Sequence, residues 1–521
     1  MSYIAHPRWG GSRRYNEHLY LLYIRTTDQG KFDGWRLVSD IDEQTGNSRL
    51  SLVDYLDSLP KTTLVYVKSF GQVHAFLYEF VSKDHGSAIE YGNNVEFREW
   101  TTFTNDDEFN VMMDWRLIFA DNKFPYLTPS QYSRKQIANT QSGCAKDLMP
   151  TTVTDLDCLY KAVHPGVLYC RDKSTVTDIL GLDISSAYIY SLVFCKHACT
   201  APIESKNPAA DWELYIGALD KASIGCYKIT YNCVFSVIRC FKDIDGIPLS
   251  KGKHTVEIML SNIDLQLLMS IPQFTIESLD CELLYTFKLD YLPADIRKFC
   301  IEQYLIKQGL AKDTPERERQ KKVLNSVYGN MLYDAKKILS ASDPRQELYR
   351  RSKRASVCPQ WGIFTMAYTK QAVIGFGIKS VGWRYSDTDS VYCSDDTANR
   401  ILLRQFNQKV MSENYRLCEK LGYTDYDLDI LCKLGTFELD CVCTRFRAWG
   451  YKTYAYETKS GKVVVKASGC SKKDAETNAD IVFSPEFKPK KGTVTHIDYD
   501  KDYYMETQSY DYIIDAICGE I

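Results

Sequence analysis

The stretch YSDTDSVY, Tyr385 to Tyr392, follows the apolar tract Ala372 to Trp383 and carries two carboxylates, Asp387 and Asp389, one residue apart in a segment that otherwise reads as strand. Asp and Ser bond their own backbone readily, so the cluster reads as a solvated hairpin turn. It reads equally well as half of a metal site. The rest of the chain must decide.

At 521 residues the chain is too long for one core and fits three or four domains or subdomains. With 45% hydrophobic and 25% charged residues it has an ordinary soluble globular composition. No apolar run approaches a membrane span, and the N-terminal MSYIAHPRWGGSRRY lacks an apolar signal core, so a cytoplasmic location is expected. The 18 cysteines are scattered through a large chain and are expected to be reduced and buried. Cys195, His197 and Cys199 in CKHAC look like metal ligands, but a structural zinc site brings a second close pair, and Cys441 and Cys443 are far off in sequence.

A net charge of −3 argues against a protein that coats nucleic acid everywhere, not against one with a basic cleft. Charge is sorted along the chain: Lys307 to Arg354 holds 13 Lys/Arg against 6 Asp/Glu, whereas Asp498 to Ile521 holds 7 acids and 1 lysine.

Residues 1–150 alternate short β-rich runs (HLYLLYI, TLVYVKSF) with polar segments, as in a mixed α/β unit, and the tail Leu127 to Gly143 reads as a linker. A strand at Thr177 to Ile184 precedes the apolar AYIYSLVF. Residues 206–300 are β-rich with a helical piece at SNIDLQLLMS. The charged segment that follows has helical periodicity broken near Pro315, which predicts a helical pair.

In KKVLNSVYGN, Lys321, Asn325 and Tyr328 fall at i, i+4 and i+7, so an ammonium, an amide and a ring share one helix face. Lys321 suits a phosphate, Tyr328 can stack on a base, and Gly329 lets a base or backbone come close. The plain alternative is a solvated face ending in a glycine. In GLDISSAYIYS, Asp183 follows an apolar run, where a lone carboxylate is costly unless paired or metal-bound.

Taken in order, DxxSxY, KxxxNSxYG and YxDTDS resemble motifs A, B and C of family B DNA polymerases. YLIK (Tyr304 to Lys307), KTY (Lys452 to Tyr454) and KASG (Lys466 to Gly469) extend the resemblance. The stretch EIMLSNIDLQLL and the basic insert KKILSASDPRQELYRRSKR are similar to the protein-primed branch of bacteriophages and linear plasmids. The resemblance covers about 160–475.

It implies an α+β right-hand polymerase of palm, fingers and thumb, with an N-terminal exonuclease-like, ribonuclease H-like domain and two insertions. The implied division is 1–150 exonuclease-like; 151–205 palm with motif A; 206–300 first insertion with palm; 301–335 fingers; 336–356 second insertion; 357–470 palm with motif C and KxY; 471–521 thumb. Asp183, Asp387 and Asp389 would be the catalytic carboxylates, holding two Mg²⁺ ions (Mn²⁺ possible) together with the Ile184 backbone carbonyl. Tyr188, Lys307, Lys321, Asn325 and Tyr328 would bind the nucleotide. Ser326, Gly329, Thr388, Ser390, Lys452 and Tyr454 would contact primer or DNA. The implied partners are primer–template DNA, dNTPs and a terminal priming protein, with no membrane, and the protein would act as a monomer.

Departures are expected at the N-terminus. The family's exonuclease uses DxE on its first strand, where LLYIRTTDQG offers Ile24 and Arg25; the next frame offers Val73 and His74. LIFADNKF (Leu117 to Phe124) and the pair Asp40 and Asp42 are rival matches, and Tyr132 has no convincing YxxxD about it. A two-metal nuclease without its carboxylates cannot hold its ions, so this domain is expected to be inactive. The template-contacting YxGG/A motif is matched loosely by VHPGV, Val163 to Val167, and Ala187 and Ile189 replace the usual Leu and Pro of motif A. Two other readings are a catalytically silent DNA-binding relative acting in replication initiation, and a reverse transcriptase, which would be expected to carry YxDD.

Overall fold

The computed structural model describes residues 145–466 with gaps at 235–239, 313 and 424, residue 483, and parts of 4–139 and 494–508. The chain divides into two compact units, one of Met1–Tyr132 with Lys312–Arg319 and Thr493–Ser509, the other of Ser133–Ala311, Gln320–Gly492 and Tyr510–Ile521.

The first unit is a mixed sheet. Strands β1 (Leu19–Thr26), β2 (Phe32–Ser39) and β3 (Glu43–Gly46) form an antiparallel meander, and helix α1 (Arg49–Ser58) crosses to β4 (Thr63–Val67), which pairs parallel with β1. Helix α2 (Phe70–Leu77) follows, then β5 (Val81–Asp84), β6 (Ile89–Tyr91) and β7 (Val95–Glu99), the last parallel to β4. The order β3-β2-β1-β4-β7 is that of a ribonuclease H-like sheet. Ile24 is in its core with Leu22, Val65 and Phe97, whereas Arg25 is exposed and donates to Asn47. Val73 and His74 lie on α2, with Val73 fully buried. LIFADNKF and the pair Asp40 and Asp42 lie outside the described residues. So does most of the expected thumb, apart from residue 483 and a ladder of Val494–Ile497 with Met505–Gln508.

The second unit is built on an antiparallel sheet in the order β8 (Val167–Cys170), β13 (Tyr385–Thr388), β14 (Ser390–Ser394), β9 (Val176–Ile184), β15 (Phe437–Gly450), β16 (Thr453–Thr458), β17 (Val463–Lys466). Central position explains the unbroken apolar run in β9: Ile179 to Leu182 are all buried. Gly181 is required there, because any side chain would collide with Cys441 Sγ and the Tyr392 ring. Helix α3 (Ala187–Phe194) leaves the end of β9 at once. The β-rich stretch holds three long strands, β10 (Lys221–Cys233), β11 (Gly252–Ser261) and β12 (Phe274–Tyr291), with helix α4 (Asn262–Ser270) between the last two. The expected helical pair is α5 (Ala294–Gly309) and α6 (Pro315–Leu339); then come α7 (Pro344–Ser352), the almost wholly buried α8 (Pro359–Gly377) and α9 (Thr397–Lys420). No helix among the described residues is long and apolar enough to cross a membrane.

Helices α4 and α8 are joined by a buried ion pair, Lys370 Nζ to Asp264 Oδ1 at 2.6 Å, with both side chains 1% exposed. Asp264 also accepts from the Ser261 hydroxyl, which in turn caps the start of α4. His164 sits nearby: its Nε2–H donates to Met259 O (2.7 Å) and its Nδ1 accepts from Lys242 N (3.4 Å). His197 is fully buried with Nδ1–H on Cys195 O (3.1 Å) and Nε2 at 3.2 Å from Thr365 Oγ1, while the Cys199 thiol donates to Asp290 O. Both ring nitrogens are engaged, so CKHAC is a satisfied core segment and not a zinc ligand set. Every cysteine among the described residues is a free thiol.

Burial lowers His164 to about 4 and His197 to about 3, so both are neutral when folded, whereas the unfolded chain takes up their protons below the ordinary histidine value. Stability from these two groups is therefore present at pH 7 and is lost as pH falls. Roughly 2 kcal/mol each is expected to go between pH 7 and pH 5. Urea unfolding at the two pH values measures the loss, and His197→Gln should shrink it.

Candidate active site

The turn between β13 and β14 is made by backbone and one serine. Asp389 N donates to Asp387 O (2.7 Å), Asp387 N donates to Ser390 Oγ (3.2 Å), and the Ser390 hydroxyl donates to Asp387 O (3.0 Å). Thr388 at the tip has φ 59° and donates from Oγ1 to Asp387 Oδ1 (3.0 Å). The polar turn reading is thus satisfied by Ser390 and the main chain, and from the turn the Asp389 carboxylate takes only the pull of its own amide.

Strand β9 supplies the second wall. Asp183 lies opposite Ser390 on one side and Glu438 on the other, and Ile184 N donates to Asp389 O (3.0 Å), which locks the turn to the strand end. Asp183 is reached by solvent, yet protein surrounds it on most sides. This partial desolvation, then the Asp389 and Asp440 charges, holds its carboxyl well above the usual carboxylate range, with Lys321 opposing. Asp389 is raised too, first by burial and then by Asp387, against the pull of its own amide and the cations Lys321 and Lys452. Both shifts run upward, so the carboxylates are short of positive charge.

Glu438 and Asp440 carry no motif that ties them to this site. A bulge brings them here: Gly181 pairs with Cys441 and Leu182 with Leu439, which leaves Asp440 as the extra residue, and Glu438 to Asp440 are all exposed. The only sequence signal was FELD, two acids at strand period.

The helical motif faces the same carboxylates. Lys321 is exposed on α6, and its charge favours ionised Asp183 and Asp389. Tyr328 stacks on Tyr188 of α3, centroids 4.5 Å apart at 22°. Asn325 is exposed, and Ser326 turns its hydroxyl back to Lys322 O. Gly329 lies in mid-helix, not at its end, and a Cβ there would meet nothing within 4 Å. Lys321, Asn325 and Gly329 are exposed, as on a solvated face, but the glycine does not close the helix. Gly329→Ala should stabilise the fold by about 1 kcal/mol and yet depress template-directed activity; melting and extension assays read the two signs separately.

Lys307 of α5 donates to Ser186 Oγ (2.9 Å) and lies 5.3 Å from the centre of the Tyr304 ring. Lys452, in the turn from β15 to β16, places Nζ 3.8 Å from Asp387 Oδ1, and its amide donates to Tyr385 OH (2.8 Å). Tyr454 joins Tyr385, Tyr392 and Phe446 in a ring cluster and meets Tyr392 OH to OH at 3.3 Å. In the loop VHPGV, Gly166 lies against Thr388, where an added Cβ would sit 3.0 Å from the Thr388 methyl. Four described non-glycine residues have left-handed backbone, and three of them, Ser186 (φ 49°), Thr388 (59°) and Lys452 (57°), lie here; the fourth is Asp178. Such residues cost on the order of 1–3 kcal/mol each and persist where surrounding structure holds them.

Among the described residues no three His, Cys, Asp or Glu side chains converge as a ready cation cage. Asp387 is turned to Thr388 and Lys452, beside the Asp183 and Asp389 pair. Even so, the hard carboxylate donors and their deficit of positive charge fit Mg²⁺ or Mn²⁺.

No protein-family model and no curated protein matches the chain. Among solved structures, Phi29 DNA polymerase complexed with primer-template DNA aligns with a TM-score of 0.67 at 13% identity, covering 92% of this chain and 97% of that one. The chain has a right-hand polymerase fold with an N-terminal exonuclease-like domain. Phi29 DNA polymerase complexed with single-stranded DNA gives 0.64 at 13% identity over 92% and 97%, and its orthorhombic crystal form 0.62 at 15% over 91% and 97%.

Proposed function

We propose that the protein is a template-directed DNA polymerase that transfers dNMP from a dNTP to a 3′-hydroxyl and releases pyrophosphate. The observation that carries this reading is the Asp183 and Asp389 pair faced by Lys321 and by the Tyr188–Tyr328 stack. Asp183, Asp387, Asp389 and the Ile184 carbonyl would hold two divalent ions, Mg²⁺ or Mn²⁺. Bound there, they would polarise the phosphoryl group and lower the pKa of the attacking hydroxyl.

The chain's own residues do the rest. Lys321 and Lys307 bind triphosphate oxygens; Lys307 leaves the Ser186 hydroxyl to do so. Tyr188 and Tyr328 separate to admit the nascent pair, with Asn325 and Gly329 beside it. Lys452 and Tyr454 position the primer end. Tyr188 lies under the sugar and excludes a 2′-hydroxyl; Tyr188→Val should raise ribonucleotide use at least ~10-fold relative to dNTP, read from paired kcat/KM values.

The finer parts of the proposal are priming by a terminal-protein hydroxyl, strand displacement aided by insertions at 206–300 and 336–356, no active 3′–5′ proofreading, and action as a cytoplasmic monomer. Buried Ile24 and exposed Arg25 on β1 support the loss of proofreading. The test is Mg²⁺-dependent extension of a primed single strand, stopped by chelation. Failure of the purified protein, with Asp389→Asn behaving identically, sinks the reading. Covalent attachment of a labelled nucleotide to a partner protein tests the priming.

A further inference from the structure

Helix α9 carries Asn399, Asn407 and Asn414, which at 3.6 residues per turn fall within a stripe of ~80°. Each side-chain amide is forked onto main chain. Asn414 Nδ2 donates to Cys432 O (3.0 Å) and Leu434 O (2.7 Å). Asn407 donates to Phe437 O (2.9 Å) and accepts from Phe437 N (2.9 Å). Asn399 donates to Val381 O (2.8 Å) and Ser394 O (2.7 Å) and accepts from Val381 N (2.8 Å), which ties together the two ends of the segment containing the β13–β14 hairpin.

The targets are not scattered. Gly435 N donates to Ser185 O (2.9 Å), Ser185 N donates to Thr436 O (2.9 Å), and Phe437 pairs with Ile184. The backbone gripped by Asn407 and Asn414 is therefore the backbone that flanks the residues just after Asp183. Strand β16 covers the outer edge of β15 only from Cys443 onward. At Phe437 the Asn407 amide makes the two bonds that a neighbouring strand would make. A carboxamide offers one donor and one acceptor in that geometry, whereas an ionised carboxylate offers acceptors alone.

We propose that Asn407 and Asn414, with Asn399 at the far end of the same stripe, are positioning residues for the carboxylate site. Through residues 432–437 they set where β15 lies against Ile184 and Ser185, and so how Asp183 stands relative to Asp389, Glu438 and Asp440. This rests on the polymerase reading.

The test compares Asn407→Asp, which keeps size and the acceptor but loses the donor, with Gln405→Glu, the same charge change at an exposed position of α9. Asn407→Asp is expected to lower kcat for single-nucleotide addition ~10-fold or more while primer–template affinity stays within about twofold. Hydrogen exchange should quicken at Ser185 and Gly435 specifically, and Gln405→Glu should change neither readout. Asn414→Asp gives the same exchange signature if Asn407→Asp does not fold. The proposal is overturned by folded Asn407→Asp with unchanged kcat, by exchange that is unchanged or rises evenly across the unit, or by an equal effect of Gln405→Glu. If the wild-type chain adds no nucleotide, the polymerase reading falls, and the exchange data alone decide the positioning.

Discussion

Asp389→Asn and Asp183→Asn should each reduce nucleotide addition by ~10³-fold or more, since each removes ligand charge expected to be worth several kcal/mol in the transition state. Neither should lower the melting temperature. Both carboxyls are held above their ordinary range by desolvation and by neighbouring acids, so an ionised carboxylate at either position opposes folding. A combined result, activity lost and stability kept or raised, separates a catalytic pair from a structural one. Single-turnover incorporation alongside thermal melting measures it, and a large fall in melting temperature with proportionate loss of rate would contradict it.

Lys370→Met should destabilise the second unit by ~3–5 kcal/mol, because it leaves Asp264 buried and uncompensated. Replacing both partners, Lys370→Met with Asp264→Leu, should recover most of that loss, since a buried ion pair adds little net stability over well-packed apolar groups. The hydroxyl of Ser261 loses its acceptor in the double variant, so recovery stays incomplete. Urea midpoints of the wild type, two single variants and the double variant complete the cycle; additive losses would show that the two charges do not depend on one another.

Much of the site was legible in the sequence because its residues are local. The DTDS turn, the strand before Asp183 and the spacing of Lys321, Asn325 and Tyr328 each fix geometry within a few residues. The helical pair broken near Pro315 was legible for the same reason, as was the helix at Asn262 to Ser270. Other features depend on register. Glu438 and Asp440 stand in the sequence as two acids at strand period, and only the bulged register of β15 on β9 shows that they reach Asp183. Asn407 and Asn414 act on main-chain atoms 18 to 30 positions away, and an isolated Asn carries no mark of that. CKHAC looked like ligands because spacing does not show that Thr365, from a distant helix, takes the second ring nitrogen. The frame at Val73 and His74 proved helical, with its valine inside the core.

Ser186, Thr388 and Lys452 have a consequence for anyone trying to improve this protein. Each holds a left-handed backbone that glycine would adopt freely. A selection that rewards only heat resistance is expected to accumulate glycine or asparagine at these three positions, and the winners should be sturdier and slower. Selection for turnover should refuse the same changes. Sequencing the survivors of the two regimes would reveal whether conformational tension around the carboxylates is a cost the molecule tolerates for speed.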